Sequence, residues 1–364
     1  MTKVGIICEY NPFHNGHKYH IDKIKEMFPD SIIILAMSPS FTQRGDVSII
    51  NKWDKTRIAL ENNIDLVVEI PTKYVIQSAD TFSKAVDILN YLDVDYLVFG
   101  SESDDINKLK YISKIQSESK YNNEVKKLMD NGISYKNALH KALKIYNIED
   151  IESNDILGIS YIKEINNIKS RMIPLTIKRT NDYNSNNLDS DIISANAIRN
   201  NINNIDIKKY VPKNAIVDYY TPDYFNLLKY KIISDNELYK YNLVDEGIEN
   251  RLKKCITECN TLEELIDKVK TKRYTVNKLK RMFISILLSF KKEDNDKDIK
   301  YIRVLGFNNN GQKYLNSIKK SIKIPIYTKF NKDLEYEYNV SKIYSLIVND
   351  SELIKKELTN LIRL

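Results

Sequence analysis

The stretch that decides the fold is KVGIICEYNPFHNGHKYHIDKIKEMF, residues 3–28. Its apolar run at residues 4–8 is typical of a short buried strand in a parallel sheet, and Asn11, Pro12 and Gly16 break the run before a helical pattern begins. Three of the chain's four histidines lie in the loop and the first turns of that helix: His14, His17 and His20. The stretch therefore predicts a strand, a loop and a helix, with an imidazole cluster where the helix begins.

This cluster suits an anionic ligand. The first turn of a helix presents unpaired N–H groups and the positive end of the helix dipole, which together favour phosphate. Gly16, between His14 and His17, has no Cβ and lets a ligand approach the backbone closely. We refer to residues 9–17 as the histidine loop and interpret it as a site for a nucleotide triphosphate.

Two other interpretations of the cluster stay open on the residues alone. A polar helix start with solvated histidines explains the same short motif. A metal site formed by His14, His17 and His20 is the second alternative, although no cysteine or second acidic cluster nearby completes a ligand set.

Apolar runs alternate with helical segments over the first half of the chain. Further strands are predicted at residues 31–38, 65–70, 96–99 and 172–179, with helices at residues 51–63 and 77–92 between them. This alternation predicts a parallel sheet with right-handed crossovers and helices on both faces, an α/β fold. Because ligands bind beyond the carboxyl ends of such strands, His14, Arg44 and Gly100 are expected at the same edge.

Helix starts and strand ends supply further candidate site residues. Asn154 opens an apolar helical run and is expected to be its N-cap, and Ser194 is expected to cap a later helix and to aim its hydroxyl at phosphate. Arg179 ends the strand predicted at residues 172–179, where a guanidinium is well placed to meet phosphate.

At 364 residues, the chain is long enough for two domains. We expect an α/β domain at residues 1–203, with a charged helical insertion at residues 104–147 packed on the edge of the sheet. Residues 204–364 are predicted to be mainly helical, with short strands at residues 301–307 and 324–328. This second part has no catalytic constellation of its own, which favours a role in recognition.

A basic segment, KRYTVNKLKR at residues 272–281, lies in the second part. Cations mixed with an aromatic residue are typical of nucleic-acid surfaces, and a solvated helix face is the alternative. The candidate RNA-binding residues are Lys272, Arg273, Lys278 and Arg281. The formal net charge of +7 favours a polyanionic partner but decides nothing by itself.

The composition indicates a soluble chain, since 29% of the residues are charged and no apolar run is long enough to span a membrane. The first residues, MTKVGIICEYNPF, lack an apolar signal segment, so a cytoplasmic location without membrane contact is expected. The three cysteines form no disulfide framework in a chain of this length, and no obligate protein partner is evident.

Several segments resemble known families. FHNGH at residues 13–17 resembles the (H/T)xGH signature of the class I nucleotidyltransferases, and ISANAIR at residues 193–199 is similar to their ISSTxIR signature, with Ala195 and Asn196 as departures. The string EYNPFHNGHKYH at residues 9–20 is similar to the tRNA(Met) cytidine acetate ligases. Further segments resemble that family in the same order: MSPSFTQRGD (37–46), where Pro39 replaces the usual glycine, NKWDKTRIAL (51–60), FGSE (99–102) and NDILGISYIK (154–163).

The resemblance implies a Rossmann-like nucleotidyltransferase domain of the HUP type, followed by the mainly helical C-terminal domain. It implies that acetate and ATP form acetyl-adenylate, and that the acetyl group passes to the wobble cytidine of elongator tRNA(Met), giving N4-acetylcytidine. Magnesium is expected with the triphosphate, and His14 and His17 are the implied catalytic residues. The implied ATP-binding residues are Ile7, Cys8, Glu9, Tyr10, Asn11, Pro12, Phe13, His14, Asn15, Gly16, His17, Lys18, Tyr19, His20, Gly100, Asn154, Arg179 and Ser194.

Two other functions stay open. An enzyme of the same superfamily that adenylates a small phosphorylated cofactor precursor would turn over without RNA and would not respond to acetate. A non-enzymatic RNA-binding protein would keep the nucleotide-binding domain only as a scaffold, and the intact histidine loop argues against that interpretation.

Overall fold

The computed structural model describes residues 1–149, 151–179, 192–202, 204–296 and 298–364, and its centre is one β-sheet. The strands are β1 (Lys3–Cys8), β2 (Ile32–Met37), β3 (Leu66–Glu69), β4 (Tyr96–Ser101), β5 (Ile173–Lys178), β6 (Ile302–Phe307), β7 (Ile326–Tyr327) and β8 (Ile362–Arg363). The helices up to the end of the first part are α1 (Asn15–Met27), α2 (Lys52–Glu61), α3 (Thr72–Val75), α4 (Ala79–Phe82), α5 (Ala85–Tyr91), α6 (Ile106–Gln116), α7 (Ser119–Asp130), α8 (Tyr135–Leu143), α9 (Ser153–Asn167) and α10 (Ala195–Asn201). Those of the second part are α11 (Phe225–Ser234), α12 (Ile248–Ile256), α13 (Leu262–Val269), α14 (Val276–Leu287), α15 (Asn309–Ile318), α16 (Glu335–Val348) and α17 (Glu352–Thr359).

The order of strands explains where a ligand site belongs. Neighbours in the sheet are β5-β4-β1-β2-β3-β6-β7, with β8 paired to β6. Strands β1 to β5 pair in parallel, and β6 runs antiparallel to β3. The chain proceeds from β1 through β2 to β3 and then returns to β4 on the other side of β1. The strand order therefore reverses between β1 and β4, which is where open α/β sheets bind their ligands.

The first part confirms the predicted parallel α/β sheet. All residues of β2 are buried, as expected for a central parallel strand with helices on both faces. The one helix predicted at residues 77–92 is instead the two short helices α4 and α5. The Ser83 hydroxyl donates to the carbonyl of Asp80 at 2.7 Å, and this local bond accompanies the turn between them.

The segment at residues 104–147 is helical, as predicted, and contains α6, α7 and α8. Helix α6 packs against α9 and beside the edge strand β5, so the segment covers one end of the sheet. Within the described ranges, no helix is both long and apolar enough to cross a membrane.

The second part is mainly helical but also extends the sheet. The strands predicted at residues 301–307 and 324–328 are β6 and β7, and β6 pairs with β3 of the first part. The sequence predicted the strands but not their partners. The division at residues 203 and 204 stays a prediction, and residue 203 lies outside the described residues.

Buried charges join the two parts beside the β3–β6 pairing. The Lys52 ammonium lies 3.0 Å from a Glu69 carboxylate oxygen and 2.8 Å from Glu357, and Arg303 also bonds to Glu357. All four side chains are nearly inaccessible to water. Removing one partner would leave an uncompensated buried charge, so the network fixes how the C-terminal elements sit on the sheet.

Candidate active site

A pocket opens where β1, β4 and β5 end, at the reversal of the strand order. Most of the predicted ATP-binding residues line it: Ile7, Cys8, Glu9, Tyr10, Asn11, His14, Gly16, His17, Tyr19, His20, Gly100, Asn154, Arg179 and Ser194. Four predicted residues are not among its lining: Pro12, Phe13, Asn15 and Lys18. The structure therefore brings most of the predicted residues together in one pocket, and their contact with ATP stays a prediction.

The histidine loop is held from behind by buried side chains. Phe13 is 1% exposed and packs edge-on against Tyr10, with ring centroids 4.8 Å apart. Asn11 accepts a hydrogen bond through Oδ1 from the backbone N–H of Ile49 at 2.9 Å. These contacts fix the loop's shape, so Phe13 acts on a ligand only through the loop.

His14 and His17 are oriented by backbone hydrogen bonds. Nδ1 of His14 accepts from the N–H of Gly16 at 3.0 Å, and Nδ1 of His17 accepts from the N–H of His14 at 3.3 Å. The two rings stack with centroids 3.8 Å apart. A neutral imidazole whose Nδ1 accepts carries its proton on Nε2, so both rings offer an Nε2–H donor.

The histidines of the pocket are neutral at pH 7. Burial, followed by the positive charges of Arg179 and Arg199, lowers the pKa of His14 to about 3. Burial also lowers the pKa of His20 to about 4, and the pKa of His17 is held well below its ordinary value. These rings therefore act as N–H donors and not as fixed cations.

The first turn of α1 differs from the expectation of free N–H groups. The N–H of Gly16 donates to Nδ1 of His14, and the N–H of Asn15 donates to the carbonyl of Tyr210 at 2.9 Å. A Cβ at Gly16 would lie 2.8 Å from the His14 ring, which explains the glycine. Side chains, rather than the N–H groups of Asn15 and Gly16, are consequently the main donors to an anion.

Unsatisfied polar atoms mark the pocket as a ligand site. Nε2 of His20, Nε of Arg179 and Nδ2 of Asn11 are buried and make no hydrogen bond to the described residues. Buried polar groups are nearly always paired in folded proteins, so each such group calls for an explanation. A polar ligand that accepts and donates hydrogen bonds in the pocket would pair them.

Three arginines line the pocket: Arg44, Arg179 and Arg199. Carboxylates lie 3.9 Å from two of them, Glu102 from Arg179 and Asp46 from Arg199. Nη1 of Arg199 donates to the carbonyl of Asn11 at 2.6 Å, which ties α10 to the histidine loop. Ser194 is the N-cap of α10, as predicted, and accepts from the N–H of Ala197 at 3.1 Å. A Cβ at Gly100 would lie 3.3 Å from Cγ of Arg179, so Gly100 makes room for that side chain.

Asn154 lines the pocket, but the prediction that it caps a helix is wrong. The N-cap of α9 is Glu152, and Asn154 lies inside the first turn. Its amide Nδ2 donates to Glu102, whose carboxylate also accepts from the N–H groups of Asn154 and Asp155. The carboxylate of Glu102 thus satisfies the start of the helix and orients the Asn154 side chain.

Glu9 is the only carboxylate among the described residues of the lining. Its Oε1 accepts from the N–H of Gln43 at 2.6 Å, and burial raises its pKa. Below it, the buried Lys55 ammonium donates to the carbonyls of Glu9, Ser38 and Pro39 at 2.9 to 3.0 Å. Lys55 therefore joins the ends of β1 and β2, and the backbone at Pro39 keeps a defined contact.

Lys55 escaped the sequence analysis because a helical lysine is ordinarily exposed. Burial lowers its pKa to about 7, although three carbonyl acceptors favour the charged form.

The sequence analysis also missed the apolar wall of the pocket, with Phe99, Leu157 and Tyr161. These residues belong to ordinary core patterns, and only their place beside the polar loop distinguishes them.

The basic segment at residues 272–281 is partly neutralised. Arg281 is largely enclosed and its Nη1 donates to the carbonyl of Gln77 at 2.9 Å, and Arg273 forms an ion pair with Glu246 at 2.7 Å. Lys278 lies over the ring of Tyr274, 4.0 Å from its centroid, and Lys272 is exposed. Arg281 thus braces the loop that carries Gln43.

The metal interpretation of the histidines finds no support. Among the described residues, no group of three or more histidine, cysteine, aspartate or glutamate side chains is arranged to hold a metal ion.

Cys8 lines the pocket as a thiol, because burial raises its pKa to about 12.

Comparisons with known proteins identify the family of this chain. The family model described as HIGH Nucleotidyl Transferase matches residues 1–358. The tRNA(Met) cytidine acetate ligase of Caldicellulosiruptor saccharolyticus is 41% identical over 378 residues, with 95% of this chain and 94% of that protein covered. The protein of the same name from Acetivibrio thermocellus is 37% identical over 368 residues, with 91% and 89% covered.

Solved structures show the same similarity. The crystal structure of Thermotoga maritima TmcAL in its apo form I matches with a TM-score of 0.91 and 26% identity, and all of both chains is covered. The structure of TmcAL from the same organism bound with alpha-thio ATP matches with a TM-score of 0.89 and 27% identity. The similarity thus extends over the whole fold.

Proposed function

The chain belongs to the family of tRNA(Met) cytidine acetate ligases within the HIGH nucleotidyltransferases, and we propose that it joins acetate to the wobble cytidine of elongator tRNA(Met) with ATP as the energy source. One observation carries the proposal. At the point where the strand order reverses, His14 and His17 are fixed as paired Nε2–H donors in a pocket lined by three arginines. That arrangement suits a triphosphate.

In the first step, a carboxylate oxygen of acetate attacks the α-phosphorus of ATP, and the bond to the β-phosphate oxygen breaks. Acetyl-adenylate forms and pyrophosphate leaves. Charge builds on the oxygens between the α- and β-phosphates, where neutral N–H donors already held in place stabilise it without reorganising. His14 and His17 supply those donors, and Arg179 and Arg199 offset the charge. The apolar wall with Phe99 and Leu157 suits the adenine ring.

In the second step, the exocyclic amine of the cytidine attacks the acetyl carbonyl. The carbon–nitrogen bond forms, AMP leaves, and the amine loses a proton. The base must leave the anticodon stack to reach the pocket, which is easier in a loop than in a duplex. We assign tRNA recognition to residues 204–364, with Lys272, Arg273 and Lys278 as candidate contacts, and a cytoplasmic location where tRNA is found.

Magnesium fits this site as a companion of the triphosphate. The described residues hold no cluster of metal-ligating side chains, and Glu9 is the one carboxylate of the described lining. Magnesium commonly keeps several waters and binds substrate phosphates in such sites. A bound magnesium ion would therefore take most of its ligands from phosphate oxygens and water, and it would offset the negative charge of the triphosphate.

Transfer of labelled acetate to RNA tests the proposed function. The purified protein receives radioactive acetate, ATP and an unmodified transcript of elongator tRNA(Met), and the matched control is the same transcript with uridine at the wobble position. We expect ATP-dependent label on the cytidine transcript only. Label on neither transcript, with ATP binding confirmed, would contradict the proposal and favour adenylation of a small phosphorylated precursor.

A further inference from the structure

A short segment of the second part lies beside the start of α1, next to the histidine loop. It contains the turns Ile207–Lys209 and Lys213–Ala215, with Tyr210 between them. The side-chain amide of Asn15 donates to the carbonyl of Lys209 at 3.0 Å, and the backbone N–H of Asn15 donates to the carbonyl of Tyr210 at 2.9 Å. The segment is therefore bonded directly to the start of α1, beside His14.

Tyr210 anchors this segment. Its side chain is 6% exposed and belongs to a small apolar cluster with Ile193, Ala197 and Ile198. Ile193 also lines the pocket, and Ala197 and Ile198 lie on the helix that Ser194 caps. The segment thus has a fixed position relative to both phosphate-binding elements of the site.

Two lysines project from the part of this segment that is bonded to α1. Lys208 and Lys209 are exposed, and we refer to them as the lysine rim. In the described part of the chain, neither of them forms an ion pair within 4.0 Å, whereas Arg273 in the basic segment does. Their charge is therefore available to an anionic partner beside the histidine loop, near the mouth of the pocket.

The chemistry of the substrate places anions at this mouth. Every nucleotide inside a chain has a phosphate on each side, so a cytidine in the pocket brings its flanking phosphates to the entrance. Lysines bind such phosphates as point charges and fix position without reading sequence. We propose that the lysine rim binds the backbone phosphates of the anticodon loop next to the acetylated cytidine, an inference that rests on the proposed function.

Binding measured against salt tests the lysine rim. The variant carries Lys208→Ala and Lys209→Ala, and the probe is an unmodified transcript of elongator tRNA(Met). Each lost phosphate contact on single-stranded RNA reduces the slope of log K against log salt by about 0.7, so we expect the magnitude of the slope to fall by about 1.4 and the Kd to rise about fivefold or more. Replacing the same lysines by arginine should restore the slope.

A matched control uses two lysines that are distant from the pocket. Lys320 and Lys323 are also exposed and form no ion pair in the described residues, but they lie between α15 and the distant strand β7. Their double alanine variant has the same net charge as the rim variant, and it should bind tRNA with the slope and Kd of the wild type. An equal loss in both variants would attribute the effect to total charge and overturn the proposal.

Adenylate formation separates this inference from the proposed function. Acetate-dependent exchange of pyrophosphate into ATP needs no RNA, and the rim variant should retain it within about twofold, because the lysines lie outside the pocket lining. An unchanged salt slope and Kd in the rim variant would remove the lysine rim from the RNA interface, and loss of exchange would make it part of the ATP site instead. Absence of exchange in the wild type would contradict the proposed function itself.

Discussion

His14 and His17 each use Nδ1 to accept a backbone N–H, and this leaves Nε2 as the donor that a phosphate oxygen can meet. The low pKa of His14 keeps the ring neutral, so its proposed contact with phosphate depends on the position of one N–H and not on charge. The sequence predicted the residue types and their spacing. It could not predict the tautomers, because these follow from which backbone groups face each ring.

The pH dependence of the free energy of unfolding tests whether burial keeps His14 neutral in the folded chain. Its pKa is about 3 in the folded chain, against an ordinary value of 6.5 in an unfolded chain, so below pH 6.5 the unfolded chain binds a proton that the folded chain does not bind. Stability is therefore complete above pH 6.5 and falls as the pH drops toward 3, by roughly 2 kcal/mol for this group at pH 5.

His14→Asn tests this effect, since asparagine keeps an N-cap acceptor and does not titrate. We expect the fall in Tm between pH 7.5 and 5.5 to be smaller in the variant than in the wild type, measured by thermal unfolding without ligand. An equal fall in both proteins would mean that His14 takes up a proton in the folded state.

The loop between β2 and α2 and the distant helix α14 form one support for the pocket. Gly45 has a φ of +85°, and a Cβ there would lie 2.4 Å from the backbone nitrogen of Arg281. On the same side, Asp46 forms an ion pair with Lys280 at 2.7 Å. The backbone N–H of Gln43 in this loop also donates a hydrogen bond to the carboxylate of Glu9.

Gly45→Ala should therefore displace the loop. We expect a lower Tm and a raised KM for ATP, because the loop moves away from α14 and takes Gln43 and Arg44 with it. The matched control is Gly132→Ala, where φ is +82° and nothing lies within 4 Å of the added Cβ. Both variants carry the backbone strain of about 1 kcal/mol, but only Gly45→Ala adds a clash. Equal Tm and equal KM in the two variants would show that the contact with α14 is unimportant.

The long-range contacts of this support explain why part of the site could not be predicted from the sequence. Arg281 was predicted to bind RNA because it lies in a run of cations, and the structure places it against the carbonyls of Gln43 and Gln77. Local patterns predicted the histidine loop, since strand, turn and helix signals are short-range. Contacts between residues far apart in the chain, including those of Lys55, leave no such signal.

The molecule as a whole combines a parallel sheet with C-terminal elements that complete it. The sequence predicted β1 to β5 correctly and found β6 and β7, but it could not show that β6 pairs with β3, because strand pairing depends on distant partners. The buried network of Lys52, Glu69, Arg303 and Glu357 joins the same elements. We therefore propose that tRNA recognition and catalysis depend on one framework, in which Asn15 of the histidine loop donates to the carbonyl of Lys209 in the lysine rim.

The most direct test of the central claim is acetate-dependent exchange of labelled pyrophosphate into ATP, measured without tRNA. The wild type should exchange only when acetate is present. His17→Asn removes the Nε2–H donor and should lower the rate by about 100-fold or more, as loss of one preorganised donor does. His140→Asn, a change in α8 away from the pocket lining, should leave the rate unchanged. An exchange rate that is the same with and without acetate, or an undiminished rate in His17→Asn, would contradict the account.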